Sequence, residues 1–590
     1  MNAPSVASDA PIASFVPELD TIAAAAMADW KVPGAAVAVV QNGKVILLKA
    51  YGQRDVEANL PVTTGTQFLI CSITKSFTAT GMALLHNERR LDWTKPVRDY
   101  IPEFRLHDPV ATERITVGDL LCHHSGLPRH DWVWMPGDIS RDEMLTAMRH
   151  LEPSRDIRAA WQYNNLGYNI AGAVIERVTG TSYESFMRKR LTDKLGMSVS
   201  FTVDALAAAE DAAVPYAINE NTVLRTKYWP ITSTAAGAIN TSITDIASWL
   251  QLHLDKGKFD GEQLLPATSI AELHAPRAYV AAPEFAEFGP WHYGRGFVST
   301  TYRGDRLASH SGGWIGWGTL MTVLPENGIG VAVFTNRSSN PVTDILTRYI
   351  IDRLRGRETV NWLERYGERR RKALAQIQTD KDARQKARHQ NTRPSRVLAD
   401  YAGDYEHPAY RVMSVTEEGG ALRWAWRGMS GVLEHRHYET FELPEVPDRL
   451  FPDRLPITFS TDRDGNLVSL SAPLEPMVKD IVFVRRAVGD CTDPAFRQAC
   501  IGVFTTGATT HQVTRDADGN LMLKPDDQPA YRLAPHQGRK FRIVELDGYV
   551  VEFLGEDARV DEIIFHQPNG TFQAKRVEAA TPQEPPVSSP

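Results

Sequence analysis

Two side chains near residue 70 have the types and spacing that acyl transfer requires. Ser72-Ile-Thr-Lys75 places a hydroxyl and an amine three positions apart, which on a helix brings them to one face. A serine hydroxyl is a poor nucleophile until a base removes its proton, and a lysine serves as that base only when its pKa is depressed. Burial of Lys75 at the start of an apolar helix would depress it, because desolvation disfavours the ammonium form. The spacing therefore predicts a serine nucleophile with a lysine base.

Two other polar groups follow further along the chain. Tyr163-Asn-Asn165 precedes a helical pattern, and His310-Ser-Gly312-Gly313 precedes a run of strand-forming residues. Each also has an ordinary structural interpretation, Tyr163 and Asn165 as turn residues and His310 as a hydrogen-bond donor on a strand. An S-x-x-K tetrapeptide is itself expected about once by chance in a chain of this length. The interpretation therefore depends on whether the three groups form one pattern.

The order and context of these groups resemble a known superfamily. Residues 67–78 are similar to the nucleophile segment of serine β-lactamases, penicillin-binding proteins and related esterases and D-aminopeptidases, and residues 163–165 resemble the Y-x-N loop of that group. Residues 124–128 and 236–242 are similar to other segments of it. At residues 310–312 the chain departs from the K-T-G of most β-lactamases and has the H-x-G variant of D-aminopeptidases, D-amino-acid amidases and esterases. The resemblance extends over about residues 16–350.

The resemblance implies a division of catalytic roles among the matched residues. Ser72 attacks the carbonyl carbon and forms an acyl-enzyme, while Lys75 and Tyr163 remove the Ser72 proton and pass it to the leaving group. The oxyanion of the tetrahedral intermediate binds to the backbone N–H groups of Ser72 and Gly313, beside Gly312. A serine hydrolase that needs neither a metal nor an organic cofactor is therefore expected.

Asn165 and His310 are expected to determine what the site binds. By the resemblance, Asn165 holds the substrate amide. His310 stands where most of the superfamily has lysine, and we expect it to supply a weaker positive group whose charge depends on pH. This would disfavour substrates that need a strong carboxylate anchor, β-lactams among them. Four tryptophans are candidates for the lining of the pocket, with core packing as the alternative: Trp132, Trp134, Trp314 and Trp317.

Local patterns predict the elements that position these residues. Strand-forming runs on both sides of Asn42-Gly43 predict a hairpin with a type I′ turn at a sheet edge, and apolar residues over 66–87 predict a helix. Further helices are expected over 142–150, 167–179 and 244–254, and strands over 317–323 and 329–335. If the two ends meet in a common sheet, they form one α/β (α+β) domain in which an antiparallel sheet faces a helical region.

The chain after this region contains an internal repeat. Residues 401–405 (YAGDY) are echoed by residues 500–504 (CIGVF), and the turns and strands that follow recur at the same offset. The repeat predicts two copies of a small antiparallel β-barrel, which the resemblance to D-aminopeptidase implies are lipocalin-like. The predicted boundaries are a hydrolase domain over 1–355, a charged helical linker over 356–396, barrels over 397–488 and 489–580, and a disordered tail over 581–590.

Composition argues against several other functions. The 590 residues carry a net charge of -7, whereas nucleic-acid-binding proteins are normally basic. No segment has the roughly 20 apolar residues of a membrane helix, and no signal peptide is visible, so a cytoplasmic location is expected, with the periplasm as the alternative. The four cysteines lack metal-type spacing and are expected to be buried apolar residues, although Cys491 and Cys500 could pair under oxidising conditions.

The sequence favours a peptidase or amidase that acts on short peptides, either like a D-aminopeptidase or as a hydrolase of linear peptides. A carboxylesterase of the same fold is one alternative. A non-catalytic penicillin-recognising protein is another, although retention of Ser72, Lys75 and Tyr163 argues against it. The expected partner is a small peptide, amide or ester substrate, with no nucleic acid or membrane. The oligomeric state stays open, and a homodimer is one possibility.

Overall fold

A nine-stranded antiparallel sheet joins the two ends of the N-terminal region in the computed structural model, which describes residues 14–135, 137–219, 222–338, 340–444, 454–463, 465–507, 509–546, 548–556 and 559–577. Its strands are, in spatial order, Ala278–Ala281, Trp291–Tyr293, Val298–Tyr302, Asp305–Trp314, Trp317–Leu324, Ile329–Thr335, Gly34–Gln41, Lys44–Asp55 and Leu60–Pro61. Gly34–Gln41 pairs with Ile329–Thr335 in antiparallel register. The prediction that both ends meet in one α+β domain is therefore confirmed.

The hairpin predicted around Asn42-Gly43 is present, but it does not lie at the edge of the sheet. Asn42 and Gly43 have φ angles of 50° and 76°, as a type I′ turn requires. The strand before them, Gly34–Gln41, is buried along nearly its whole length between two neighbouring strands. Its sequence of Ala and Val residues is typical of a strand that is covered on both faces. The edge of the sheet on this side is formed by the two-residue strand Leu60–Pro61.

Helices cover both faces of this sheet. Val16–Trp30 and Val342–Leu354 pack on one face, where Leu19, Val37 and Ile345 belong to one buried cluster. Ile243–Leu254 packs against Gly34–Gln41 and Ile329–Thr335 from the other face. The other α-helices of this region are Thr74–Asn87, Pro109–Arg114, Val117–Leu121, Arg141–Ala147, Asn165–Thr179, Tyr183–Met187, Val203–Ala207, Thr234–Gly237 and Ala267–His274.

The segment predicted as one helix over residues 66–87 consists of three elements. Gln67–Leu69 is a short strand, Cys71–Ile73 is a 3-10 turn, and the α-helix runs over Thr74–Asn87. Cys71 has a φ of 50°, a left-handed conformation that a right-handed helix cannot accommodate. The predicted start was therefore wrong, and the predicted end at Asn87 is confirmed. The reason is that apolar residues of a buried strand and of a buried helix look alike in sequence.

The other predicted helices are confirmed within a few residues at each end. They are Arg141–Ala147 with a following 3-10 turn, Asn165–Thr179 and Ile243–Leu254. Each begins after a residue whose side chain accepts a hydrogen bond from a backbone N–H of the first turn: Ser140, Asn164 and Ser242. Such caps satisfy donors that the helix itself leaves unpaired. One of these caps, Asn164, lies within the tyrosine motif.

Each half of the C-terminal repeat closes into an eight-stranded antiparallel barrel, which confirms the predicted two-barrel architecture. The first barrel consists of Gly403–His407, Arg411–Glu418, Ala421–Trp426, Met429–His437, Thr440–Leu443, Leu455–Thr461, Leu467–Ala472 and Ile481–Arg485. The second consists of Gly502–Thr506, Thr509–Arg515, Leu521–Pro525, Tyr531–Gln537, Lys540–Ile543, Val550–Leu554, Glu562–Gln567 and Gly570–Arg576.

The glycine shared by the two repeats has the same structural reason in both barrels. A Cβ atom on Gly403 would lie 2.9 Å from Nε of Arg485, and a Cβ on Gly502 would overlap the guanidinium of Arg576. The guanidinium carbons lie 5.9 Å from the ring centre of Tyr405 and 4.7 Å from that of Phe504, respectively. In each barrel the glycine therefore leaves room for an arginine that packs over an aromatic ring.

The predicted charged linker contains the helix Trp362–Lys386, which is exposed over most of its length. Its first turns are not a plain connector, because Trp362 and Tyr366 are buried in the core cluster of the N-terminal region. All four cysteines are buried and unpaired, as expected for small apolar residues. No helix in the described part of the chain is long and apolar enough to cross a membrane. The predicted tail, 581–590, lies outside the described residues.

Candidate active site

Ser72 lies on a tight turn between a strand and a helix. The chain leaves Gln67–Leu69, reverses at Cys71 with its left-handed backbone, and enters the helix Thr74–Asn87. A left-handed conformation at a non-glycine residue costs free energy and persists only where the surrounding structure fixes it. The turn leaves Ser72 partly exposed at the start of a helix whose other residues near it are buried. Ser72 is thus presented at a surface by a rigid support.

Lys75 is completely buried and lies within hydrogen-bond distance of the candidate nucleophile. Its Nζ is 3.1 Å from Ser72 Oγ, 2.8 Å from Asn165 Oδ1 and 2.8 Å from the carbonyl oxygen of Ala236. The amide and carbonyl oxygens can only accept hydrogen bonds. A neutral amine has two hydrogens, so these two acceptors leave its lone pair for the third direction, toward Ser72. The geometry thus suits a lysine that accepts the serine proton.

Two effects lower the pKa of Lys75 well below its ordinary value. Burial is the larger, because it removes water from the ammonium form, and the nearby positive charge of Arg129 acts in the same direction. The charge of Asp131 opposes both effects. Because the net direction is downward, the neutral amine that could act as a base is favoured.

Tyr163 is the third member of the predicted group and lies against both partners. Its ring centre is 4.8 Å from Lys75 Nζ, and its hydroxyl forms a hydrogen bond with Ser72. Burial raises the pKa of Tyr163 above its ordinary value, although the hydrogen bond with Ser72 and the charge of Arg129 oppose that shift. The hydroxyl is therefore protonated in this structure. A protonated tyrosine hydroxyl suits a proton relay better than a phenolate base.

Asn165 connects Lys75 to a loop that the sequence analysis did not single out. While its Oδ1 accepts from Lys75, its Nδ2 donates to Asp131 Oδ1 over 2.9 Å. Asp131 also accepts hydrogen bonds from Trp134 Nε1 at 2.8 Å and from Arg129 Nε at 2.5 Å. The carboxylate therefore orients the amide that in turn orients the lysine. Arg129 and Asp131 follow directly after the 124–128 motif, and this proximity is the only signal that could have identified them.

The first barrel holds the loop of residues 129–131 in place. The backbone N–H of His130 donates to Glu475 Oε2 over 2.8 Å. The ring nitrogen Nδ1 of His130 lies 2.7 Å from the hydroxyl of Tyr410. Its Nε2 lies 2.9 Å from the carbonyl oxygen of Glu152, so Nε2 carries the hydrogen and Nδ1 accepts from the tyrosine. His130 has a positive φ of 45°, which requires such external support.

His310 lies on the strand Asp305–Trp314, which forms the opposite wall of the site, and both of its ring nitrogens are occupied. Nδ1 is 2.7 Å from the carbonyl oxygen of Ser311, and Nε2 is 2.8 Å from the hydroxyl of Tyr293. Burial, together with the charge of Lys75, lowers the pKa of His310 to about 3. The side chain is therefore neutral near pH 7. This burial and the lowered pKa argue against the positive group expected at this position.

Glycine at position 312 allows this strand to approach the nucleophile turn. A Cβ on Gly312 would lie 2.9 Å from the Cβ of Cys71 and would overlap the carbonyl oxygen of Ile70 and Oγ1 of Thr319. Thr319 Oγ1 donates to the same Ile70 carbonyl over 2.9 Å, which ties the neighbouring strand to the turn. At Gly313 a Cβ would meet only open space. The two adjacent glycines thus have different surroundings, one packed and one open.

Ser72 lies at the junction of two cavities of about 530 and 410 Å³. Arg129 and Gly313 also line both. Several aromatic side chains line the larger cavity, among them Trp161, Tyr163, Trp291 and Tyr293. Apolar side chains line the smaller one: Trp134, Ile231, Trp314 and Ile315. A substrate bound across Ser72 therefore has room for a chemical group on each side of the bond to be cleaved.

The four candidate tryptophans have different positions. Trp134 and Trp314 line the smaller cavity, with ring centres 5.3 Å apart in a stacked arrangement. Trp317 is fully buried in the core. The ring of Trp132 packs against Trp426 of the first barrel, with centres 5.9 Å apart. Two of the four therefore line the site, and two serve packing.

Four other histidines, His123, His124, His435 and His437, form no metal cluster among the described residues. His123 is buried, and its Nδ1 accepts the backbone N–H of Asn164 at 3.1 Å, which fixes the tyrosine motif. Its neighbour His124 and the pair His435 and His437 also lack a complete ligand set. Within the described ranges, no three His, Cys, Asp or Glu side chains are arranged to hold a metal ion.

The fold and this site define a protein of the β-lactamase type, and comparison with known proteins agrees. Residues 19–355, more than half of the chain, match the Beta-lactamase family, so the chain belongs to that family. Residues 387–485 match a domain of unknown function, DUF3471, and this range contains all eight strands of the first barrel.

Three individual proteins illustrate what the chain is similar to. It is 29% identical over 413 residues to unguisins hydrolase ungD′ of Aspergillus campestris, covering 65% of this chain and 75% of that protein. It is 24% identical over 357 residues to Protein flp of Staphylococcus aureus, covering 59% and 69%. The structure of an octameric penicillin-binding protein homologue from Pyrococcus abyssi aligns with a TM-score of 0.53 and 23% identity over 80% of this chain and 100% of that chain. This last likeness shows the fold.

Proposed function

We propose that the protein is a serine hydrolase that forms an acyl-enzyme on Ser72 and cleaves amide bonds of short peptides. The observation that carries the proposal is the buried Lys75, whose Nζ lies 3.1 Å from Ser72 Oγ and whose other two neighbours are acceptors. A buried lysine with a lowered pKa beside a partly exposed serine is the arrangement that activates a serine nucleophile. Membership of a family that includes hydrolases supports the same conclusion.

In the proposed reaction, neutral Lys75 takes the Ser72 proton as Oγ forms a bond to the substrate carbonyl carbon. The carbonyl electrons move to oxygen, and the backbone N–H groups of Ser72 and Gly313 stabilise that oxyanion. Tyr163, which is hydrogen-bonded to Ser72, passes its proton to the departing amine as the C–N bond breaks, and it takes the proton held by Lys75, so that Lys75 is neutral and Tyr163 protonated again. A water molecule then attacks the acyl ester in the same way, which releases the acid and restores Ser72.

A peptide or amide substrate fits the surroundings of Ser72. Asn165 offers a side-chain amide at the site, and two cavities flank the nucleophile, one rich in aromatic side chains and one largely apolar. The relative named as an unguisins hydrolase is likewise a hydrolase by its description. D-Aminopeptidase-like, amidase and linear-peptide hydrolase activities are the forms of this proposal, and a carboxylesterase is the alternative that uses the same residues.

The test compares wild type with Ser72→Ala in two measurements. Mass spectrometry after incubation with a fluorophosphonate and with a β-lactam should show one covalent adduct, on the peptide that contains Ser72, and none in the variant. Turnover is followed with D- and L-alanine p-nitroanilides, p-nitrophenyl butyrate and a chromogenic cephalosporin. Adduct formation with anilide cleavage supports the amidase; ester cleavage alone makes the protein an esterase. A folded wild type that forms no adduct and turns over nothing would identify a binding protein.

A further inference from the structure

Arg129 is a partly used cation at the mouth of the site. Its side chain is 54% exposed, and its Nε is 2.5 Å from Asp131 Oδ2. The two terminal nitrogens form no hydrogen bond with any residue of the described segments. Half of the guanidinium is therefore held in place, and the other half is available to a ligand. A guanidinium fixed in this way is preorganised for a planar anion such as a carboxylate.

The position of Arg129 identifies the side of the substrate that it would meet. Its guanidinium carbon lies 5.0 Å from the ring centre of Tyr163, and it lines both cavities together with Ser72. Tyr163 is the residue proposed to give a proton to the departing amine, so the leaving group lies beside Tyr163. A cation that packs on the tyrosine ring is therefore within reach of groups on the leaving-group portion.

The other positive groups near the site are not available to an anion. His310 is neutral and has partners on both ring nitrogens. Lys75 is completely buried. Arg348, which also lines the larger cavity, is already bonded to Asp344 and Tyr366. Among the described positive side chains that line the two cavities, Arg129 is therefore the one that remains available to an anion.

Building on the proposed hydrolase function, we propose that Arg129 selects substrates whose leaving group carries a carboxylate. Two sources would supply the same chemistry: the free carboxyl terminus of a peptide cleaved before its last residue, or an acidic side chain on the residue after the scissile bond. The guanidinium would bind either carboxylate through its two free nitrogens while Asp131 continues to hold Nε.

The experiment measures kcat/KM on matched peptides with the full-length protein. One tripeptide, in all-D and all-L forms, is compared with a free and an amidated carboxyl terminus. A second amidated pair has glutamate or glutamine as the last residue. Wild type should prefer the carboxylate member of at least one pair by about 10- to 100-fold, the range expected for a charge-assisted hydrogen-bond pair. The pair that shows the preference identifies the source of the carboxylate.

Three variants complete the test. Arg129→Gln should reduce the ratio of kcat/KM within the pair to about one. Arg129→Lys should keep part of the preference, because the positive charge remains without the two paired guanidinium nitrogens. Arg155→Gln removes an exposed arginine that lines neither cavity and should leave the preference unchanged. The ratio is the readout, since the charge of Arg129 also lowers the pKa of Lys75 and its loss would slow every substrate. Equal rates within both wild-type pairs would overturn this inference alone, whereas no turnover of any peptide would overturn the proposed function with it.

Discussion

The two walls of the cleft make opposite use of burial. On the helical wall, which carries Ser72, Lys75 and Asn165, burial lowers the pKa of a lysine whose remaining direction faces the nucleophile. On the strand wall, Asp305–Trp314, burial leaves His310 neutral with both nitrogens already bonded. One group is free to react and the other only supports the strand. The comparison teaches that a residue at a motif position does not determine its own charge, because burial and partners do.

The largest expected effect is the loss of the helical wall's base. Lys75→Met keeps the length and apolar character of the buried stem and removes the amine. We expect kcat to fall by about 10²- to 10⁴-fold, the usual contribution of a positioned general base. Steady-state kinetics on the best substrate measure the loss.

The matched control for Lys75 is a lysine of the same region that lies at the surface. Lys194→Met changes a half-exposed side chain whose ion-pair partner, Glu262, is 3.6 Å away. It should retain nearly full activity. A Lys75→Met protein with an unchanged melting temperature and less than tenfold loss of kcat would contradict the role of this lysine as base.

The second prediction uses the contrast between two adjacent glycines on the strand wall. In Gly312→Ala the new methyl group would overlap Ile70 and Thr319, so the strand must move away from the nucleophile turn. A displacement of about 1 Å between catalytic groups can cost about 10²-fold in rate, and we expect kcat/KM to fall by that order. In Gly313→Ala the methyl group meets open space, so the melting temperature should not change.

Thermal melts and kinetics of both glycine variants separate packing from chemistry. Gly312→Ala should lose both stability and activity, whereas any loss in Gly313→Ala should appear in activity alone, through the oxyanion site or substrate fit. If Gly312→Ala behaves like wild type in both measurements, the close approach of the strand to Cys71 does not constrain the site.

A third and smaller effect on kcat/KM is expected from the contacts between the first barrel and the loop of residues 129–131. Glu475 and Tyr410 hold His130, which lies between Arg129 and Asp131. Glu475→Gln and Tyr410→Phe each weaken one of these contacts and leave the side-chain volume almost unchanged. We expect kcat/KM to fall by about 3- to 10-fold, a typical range for one hydrogen bond.

The control for the barrel contact is a glutamate on the same barrel that points to solvent. Glu418→Gln changes a side chain that is 62% exposed and should have no effect on kinetics. If Glu475→Gln and Tyr410→Phe are also without effect, the loop holds its conformation without the barrel, and the barrel contributes nothing to the helical wall.

Much of this architecture could be predicted from residue patterns because the relevant signals are local. Asn42-Gly43 encodes its hairpin turn through backbone conformation, and the spacing of Ser72 and Lys75 is a helical contact. The repeated glycines Gly403 and Gly502 are detectable because each barrel needs the same space. In such cases the residue type at one position depends on the geometry of that position.

The features that could not be predicted depend on distant segments. The charge of His310 is set by burial and by Tyr293, which comes from a different strand of the sheet. Asp131 enters the site through a hydrogen bond to Asn165, and nothing in the spacing between them signals that contact. The left-handed backbone at Cys71 could not be predicted from the sequence either, because cysteine has no preference for that conformation.

The smallest change in rate is expected for His310, because Lys75 on the helical wall should determine the pH dependence of the reaction and His310 on the strand wall should not. For wild type, kcat/KM should rise with pH through the lowered pKa of Lys75, because the neutral amine is the active form. His310, with a pKa of about 3, does not titrate in the assay range, so His310→Gln should keep the same acid limb. Rate profiles between about pH 4.5 and 9 test this, and a shifted acid limb in His310→Gln would show that the histidine charge takes part in the reaction.

The lowered pKa of His310 should affect the pH dependence of the free energy of unfolding, although it does not affect the rate. An unfolded histidine titrates near 6.5, and the folded one is held neutral, so below about pH 6.5 the unfolded state binds more protons and stability falls with falling pH. His310→Gln removes that contribution, which amounts to about 1.4 kcal/mol per pH unit. Denaturant titrations at several pH values measure the free energy of unfolding. This free energy should change less with pH for the variant than for wild type. The opposite change in this pH dependence would mean that folding favours the charged histidine, and the strand wall would then carry a cation after all.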